Sequence, residues 1–405
     1  MKLKDFFDSE PVSLPRAGFD ETRETFHQFL DALLGKYVKQ LQLIDDPDLP
    51  EICSERKQLA TAAGELAASI LTSVQLSLAG HPNLAYKEIS DALSRIDWGP
   101  FSSQLMESNS EFNPSDPYWP LFYAIKHPSL YRIRSDRSEF TIPSRGDIFH
   151  VPFEKRRLVS NQRYSITGLP CLYLGGSLWI CWEELGRPPL DSVLVSRFRI
   201  VEPVSVLDFQ FPPHHMWRFF ADIPQETSQA LDNNLGEKLR DRFSLAFLRS
   251  YIMCWPLIAA CSIKRDQRTG SFFPEYIVPQ LLLQWVAEGA RFDGIRYFSV
   301  RMPSRGAHVL AHSNCVFPAK MISFKGHCAE LKKRFALTEP LSWEALTVMR
   351  LKSPRGRRKA SSNAFSTIQM NRDILLPYCD TAFFDVEARL EQIEAKPNCS
   401  RVIDR

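Results

Sequence analysis

The run RYSITGLPCLYLGGSLWICWEEL, from Arg163 to Leu185, decides how the rest of the chain is read. Arg163 lies on an extended arm ahead of a Gly168-Leu169-Pro170 turn, and Tyr173 lies in the short apolar strand that follows. Gly175 and Gly176 end that strand and let a ligand approach the backbone closely. Ser177 is a natural N-cap for the helix that carries Glu184. On that helix Leu178, Cys181, Trp182 and Leu185 share one face, and Ile180 and Glu184 share another. A strand passing straight into a helix, inside a region of short strands, indicates an α+β domain.

Outward from this stretch, β-like runs appear at Leu130–Ile133, Ser192–Val201, Val204–Leu207, Ile295–Val300 and His308–Leu310. Helical patterns interleave near Trp179–Leu185, 225–248 and 276–288, and another reads from Phe383 to Ala395. Upstream, Phe26, Phe29, Leu30, Leu33, Leu34, Tyr37 and Leu41 recur at helical spacing. A second helix is expected over Glu55–Leu78 and a third after Pro82, which together make a small bundle. The partition read from sequence is a helical bundle over 1–98, a linker over 99–128, a mixed α/β domain over 129–324, and a C-terminal extension over 325–405 with a basic loop at 352–359.

A chain of 405 residues with 44% hydrophobic and 24% charged residues is an ordinary globular chain of two or three domains. A net charge of +3 gives no general preference for nucleic acid or membranes. The longest apolar run, Tyr251–Cys261, is too short to span a bilayer, and the lysines near Met1 have no apolar run behind them. The nine cysteines are scattered without a C-x-x-C pair, which suits a reducing cytoplasm. His308, His312 and Cys315 lack a second cluster to complete a zinc site, so no metal is expected. Neither a P-loop nor a dinucleotide glycine fingerprint is present.

An arginine, a tyrosine and a glutamate suit a phosphorylated, cationic, ribose-bearing ligand such as NAD+. A guanidinium binds a pyrophosphate, an aromatic face packs on the nicotinamide cation, and a carboxylate stabilises an oxocarbenium-like transition state. Each residue taken alone is ordinary surface or packing; the reading rests on the three together.

This run resembles the RES-domain family, named for arginine, glutamate and serine. LYRIR at Leu130–Arg134 resembles the opening strand of that domain, and YIVPQLLLQWVAEGARFDGIRYFSVR at Tyr276–Arg301 resembles its last helix and serine-bearing strand. The resemblance implies a fold similar to ADP-ribosyltransferases, with NAD+ as a consumed substrate and no cofactor. It assigns Arg163 to orient the pyrophosphate, Tyr173 to pack on nicotinamide, Glu184 to support the ribose and the developing charge, and Ser299 to trim the pocket. Tyr131, Arg132 and Tyr164 are further candidates for the pocket wall. Members degrade NAD+ with water or phosphate, or modify a protein, and many are toxins of toxin–antitoxin pairs. A protein regulator or antitoxin and self-association are therefore expected, and antiviral defence is an extension of the same idea. A degenerate binding module is the non-enzymatic alternative. The chain departs from compact members in its helical N-terminal region, in the long insertion between Glu184 and Ser299, and in its C-terminal extension. The first of these is similar to HEPN-like bundles, although no histidine follows Arg95 at the spacing RNA cleavage requires.

Overall fold

The computed structural model describes residues 1–106, 129–135, 143–222, 245–265, 270–301, 313–349, 367–371 and 374–397. The expected strand at His308–Leu310, the basic loop at 352–359 and most of the 225–248 helix lie outside the described residues, as do His308 and His312. In chain order come helices α1 (Leu3–Asp8), α2 (Phe26–Leu41), α3 (Pro50–Leu78) and α4 (Pro82–Leu93), then strands β1 (Ser102–Leu105) and β2 (Leu130–Ser135). Next are α5 (Arg145–Ile148), β3 (Cys171–Gly175), α6 (Leu178–Glu184), β4 (Val193–Ile200), β5 (Val204–Phe209), α7 (Pro213–Asp222), α8 (Leu245–Ala260) and α9 (Ile277–Glu288). The remainder is β6 (Gly294–Phe298), β7 (Ser313–Pro318), α10 (Ala329–Arg334), β8 (Phe335–Leu337), β9 (Leu341–Ser342), α11 (Trp343–Val348), β10 (Thr367–Asn371), β11 (Ile374–Pro377), α12 (Ala382–Leu390) and β12 (Lys396–Pro397).

The chain divides into two interleaved units. One comprises 1–102, 161–165 and 211–285; the other comprises 103–160, 166–210 and 286–405. The first unit is helical. α2 starts at a capping box in which the Thr25 side chain accepts from Gln28 N–H and the Gln28 side chain accepts from Thr25 N–H. Of the stripe expected from the sequence it buries Phe26, Leu30, Leu33, Leu34, Tyr37 and Leu41, while Phe29 is half-buried. α3 is long and apolar enough to cross a membrane, but Ile70, Val74 and Ala63 are buried among its neighbouring helices. α8 belongs to this bundle: Tyr37 stacks on Trp255 at 3.9 Å and donates to Ile252 O at 2.7 Å, and Arg249 pairs with Glu55 through two bonds of 2.6 and 2.8 Å.

The second unit is built on a mixed sheet of ten strands among the described residues, in the order β1-β5-β6-β7-β3-β2-β4-β8-β12, with β9 also on β4. β5 and β6 run parallel, and the pairs from β6–β7 through β8–β12 are antiparallel. Residues expected in the C-terminal extension thus supply β8, β9 and β12 to the sheet. One face buries Leu172, Leu174, Phe198, Phe317 and Phe335; the other is covered by α6, α11 and α12 around Trp179, Trp343 and Phe384. Beside the first core, Arg296 is ion-paired with Asp208 and both are buried. Ser103 donates to that carboxylate at 2.6 Å.

Candidate active site

β2 and β3 are each long-paired on their outer sides, β2 with β4 from Leu130 to Ser135 and β3 with β7 from Cys171 to Gly175. To each other they are joined at Tyr131–Gly175. The sheet therefore splits beyond that bridge, and the arms carry Arg132 on one side and Tyr173 on the other. Gly175 sits at the apex for a steric reason: a Cβ there would meet Cys181 Sγ at 2.5 Å and Ile180 Cγ2 at 2.9 Å. The glycine makes room for α6, where the sequence suggested room for a ligand.

α6 is capped twice. The Ser177 side chain accepts from Ile180 N–H at 3.2 Å, as its N-cap position predicts. Leu178 N–H donates to the buried carboxylate of Glu387 at 2.7 Å, and Tyr378 O–H donates to the same oxygen at 2.6 Å. A carboxylate at a helix N-terminus also complements the helix dipole. The C-terminal segment thereby seats the helix whose last residue is Glu184.

The adjacent glutamates at the end of α6 part company. Glu183 is buried and pairs with Arg187 at 2.8 Å. Glu184 is 38% exposed and faces the ends of β6 and β7. Its Oε1 accepts from Ser299 Oγ at 2.6 Å and from Asn314 Nδ2 at 3.0 Å; its Oε2 lies 3.4 Å from Arg301 Nε. Asn314 is opposite Gly175 on one side and Tyr297 on the other, so the carboxylate is held at the apex of the split. Ser299 is buried, donates to Glu184 and accepts from Arg301 N–H at 3.1 Å. This engagement makes it a holder of the carboxylate.

Tyr173, from β3, faces the same side as Val316, Asn314 and Tyr297. Burial raises its hydroxyl well above the ordinary tyrosine value, with Cys171 and Tyr297 adding to the effect. Arg132 is within electrostatic reach of Tyr173 and Cys181, and burial lowers its guanidinium to about 10, so it remains a cation at neutral pH. Its Nη1 is buried without a hydrogen-bond partner. An unpaired guanidinium nitrogen is costly to bury and suits an anionic ligand. Burial raises the Cys181 thiol to about 12, which makes it a poor nucleophile.

Glu184 and Ser299 are thus brought together, with Tyr173 on the face that carries Asn314, whereas Arg132 alternates with Tyr131 and Ile133 along β2 and lies on the opposite face, that of Leu130. Arg163 and Tyr164 belong to the helical unit. The Arg163 guanidinium donates to Cys261 O at 3.2 Å and to Ile263 O at 2.7 Å, and lies 5.2 Å from the Tyr276 ring centre. Tyr164 is buried there. Tyr131 is packed in the core beneath α6. Asn314 and Arg301 escaped sequence reading: a strand asparagine and a post-strand arginine are common, and only the β6–β7 register and the turn that follows β6 place them on Glu184. Among the described residues no group of three or more His, Cys, Asp or Glu side chains is arranged to hold a metal.

No family model matches the chain, and no solved structure does. The chain is 29% identical over 353 residues to a Bacillus subtilis (strain 168) protein named "Putative toxin YopC", covering 84% of this chain and 70% of that protein. The similarity points to a toxin-like family.

Proposed function

We propose that this chain is a toxin of the RES type, with an ADP-ribosyltransferase-like sheet domain that consumes NAD+. The observation that carries this reading is the Glu184 carboxylate, held by Ser299 and Asn314 at the apex of a sheet split, with Tyr173 on the same face as Asn314. A carboxylate that already accepts two hydrogen bonds is preorganised, so little reorganisation is needed when charge develops beside it.

Tyr173, kept protonated, packs against the nicotinamide ring. The C1′–N bond of the nicotinamide ribose breaks with its electron pair passing to the ring nitrogen, and nicotinamide leaves neutral. The carboxylate of Glu184 stabilises the ribosyl cation. Water then adds at C1′ and loses a proton to Glu184 or solvent, giving ADP-ribose. Inorganic phosphate as acceptor would give the 1-phosphate, and a protein side chain would give a modified polypeptide. The similarity to a protein named as a toxin supports this reading and the expectation of a neutralising protein partner.

Product analysis by mass, with and without phosphate, tests the proposal. Nicotinamide together with ADP-ribose or its phosphate is expected. NAD+ that stays intact with purified protein, with the neutralising partner absent, would overturn it.

A further inference from the structure

Away from the split, one loop of the sheet unit presents exposed apolar side chains. Between β7 and α10, Met321 is 54% exposed, Ile322 67% and Phe324 97%; in the neighbouring 3-10 turn Phe153–Leu158, Leu158 is 60% exposed. The two segments are fastened together. Phe153 N–H donates to Gly326 O at 2.8 Å, and Gly326 N–H donates to Glu154 Oε2 at 2.7 Å. The loop is also tied at its start, where Lys320 Nζ donates to Gly289 O and Phe292 O at 2.6 Å each and Ala319 N–H donates to Pro170 O at 3.0 Å. Gly326 takes a left-handed φ of +74° that closes the turn. These apolar groups therefore stand on an anchored protrusion.

Cations surround them. Lys155, Arg156, Arg157 and Lys325 are exposed, and Lys332 on α10 is half-buried beside His327. Of the nearby acids, Glu154 is engaged by Gly326 N–H, Glu330 faces Lys333 at 3.7 Å, and Asp147 accepts from Ser144 N–H and Oγ–H at 2.9 and 2.7 Å. The surface is positive at its base and apolar at its tips.

We propose that this face docks on an anionic membrane surface, with Ile322 and Phe324 entering the interface and the surrounding lysines and arginines meeting lipid headgroups. Charge and shape select this occupant. A nearly fully exposed Phe324 has almost no protein around it and so forms no wall of a groove in which a partner helix or strand would lie. A lipid surface needs only apolar groups that project and cations that flank them. The association is peripheral and involves no spanning helix.

Sedimentation of the full chain with vesicles tests the inference. The protein is expected to co-sediment with vesicles of phosphatidylcholine and phosphatidylserine, far less with phosphatidylcholine alone, and less as salt rises. The double variant I322S/F324S should weaken binding by roughly tenfold or more. R157E/K325E should abolish the preference for anionic lipid. All four positions are exposed, and an unchanged circular dichroism spectrum would verify the fold. Absence of sedimentation, or binding that both variants leave intact, overturns the inference. So does a concentration-dependent dimer, or an acidic protein complex, that I322S/F324S disrupts while no vesicle binding is seen.

Discussion

Glu387 lies more than 200 residues from Leu178 in sequence, yet its carboxylate holds the start of α6. Leu178 N–H at 2.7 Å and Tyr378 O–H at 2.6 Å meet the same oxygen, and the residue is fully buried. Glu387→Gln keeps an acceptor in place but removes the charge. Charge-assisted bonds are about twice as strong as neutral ones, so the two together should weaken by about 2 kcal/mol. Relief from burying a charge offsets part of this, leaving a net loss of about 1 kcal/mol. Glu387→Ala orphans both donors at about 1–3 kcal/mol each, so a loss of about 4 kcal/mol is expected. Tyr378→Phe alone should cost about 1 kcal/mol, and its double-mutant cycle with Glu387→Ala should return a coupling of about 1 kcal/mol. Urea unfolding followed by near-ultraviolet circular dichroism measures these differences. If Glu387→Ala lowered stability by less than about 1 kcal/mol, or if the cycle gave no coupling, the clamp on α6 would be refuted.

Gly175→Ala should cost about 1–3 kcal/mol by overpacking and reduce nicotinamide release, because its Cβ would press on Cys181 and Ile180; both readouts should move together. Arg163→Ala should mainly lower stability through its lost bonds to Cys261 and Ile263 carbonyls. His150 is buried, donates to Val151 O and accepts from Cys328 N–H at 2.8 Å, and burial lowers its folded-state pKa to about 4. The unfolded chain binds that proton near pH 6.5, so this contribution is complete above pH 6.5 and is lost as pH falls towards 4. The full window is worth about 3 kcal/mol; His150→Gln should flatten the acid limb of the stability–pH curve, with His327, also lowered by burial, accounting for what remains.

Local structure was legible where local chemistry decides it. Ser177 caps α6, Cys171–Gly175 forms a strand, and the α2 stripe packs as its spacing dictates. Long-range pairing was not. Residues 211–285 join the helical unit through contacts such as Trp255 Nε1–H to Val12 O at 3.0 Å, and no periodicity records a partner 243 positions away. The same limit hid Asn314 and Glu387, whose roles arise from strand register and helix packing. Arg163 shows the complementary effect. Its neighbours in sequence lead directly to Tyr173 and Glu184, but two backbone carbonyls of the helical unit engage its guanidinium.

The most direct test compares nicotinamide release from NAD+ by the native chain and by Glu184→Gln, which preserves shape and removes the charge. Measurable turnover by the native protein is expected, with a fall of about 10²- to 10³-fold in the variant and the fold intact. Equal turnover by the two proteins would contradict it.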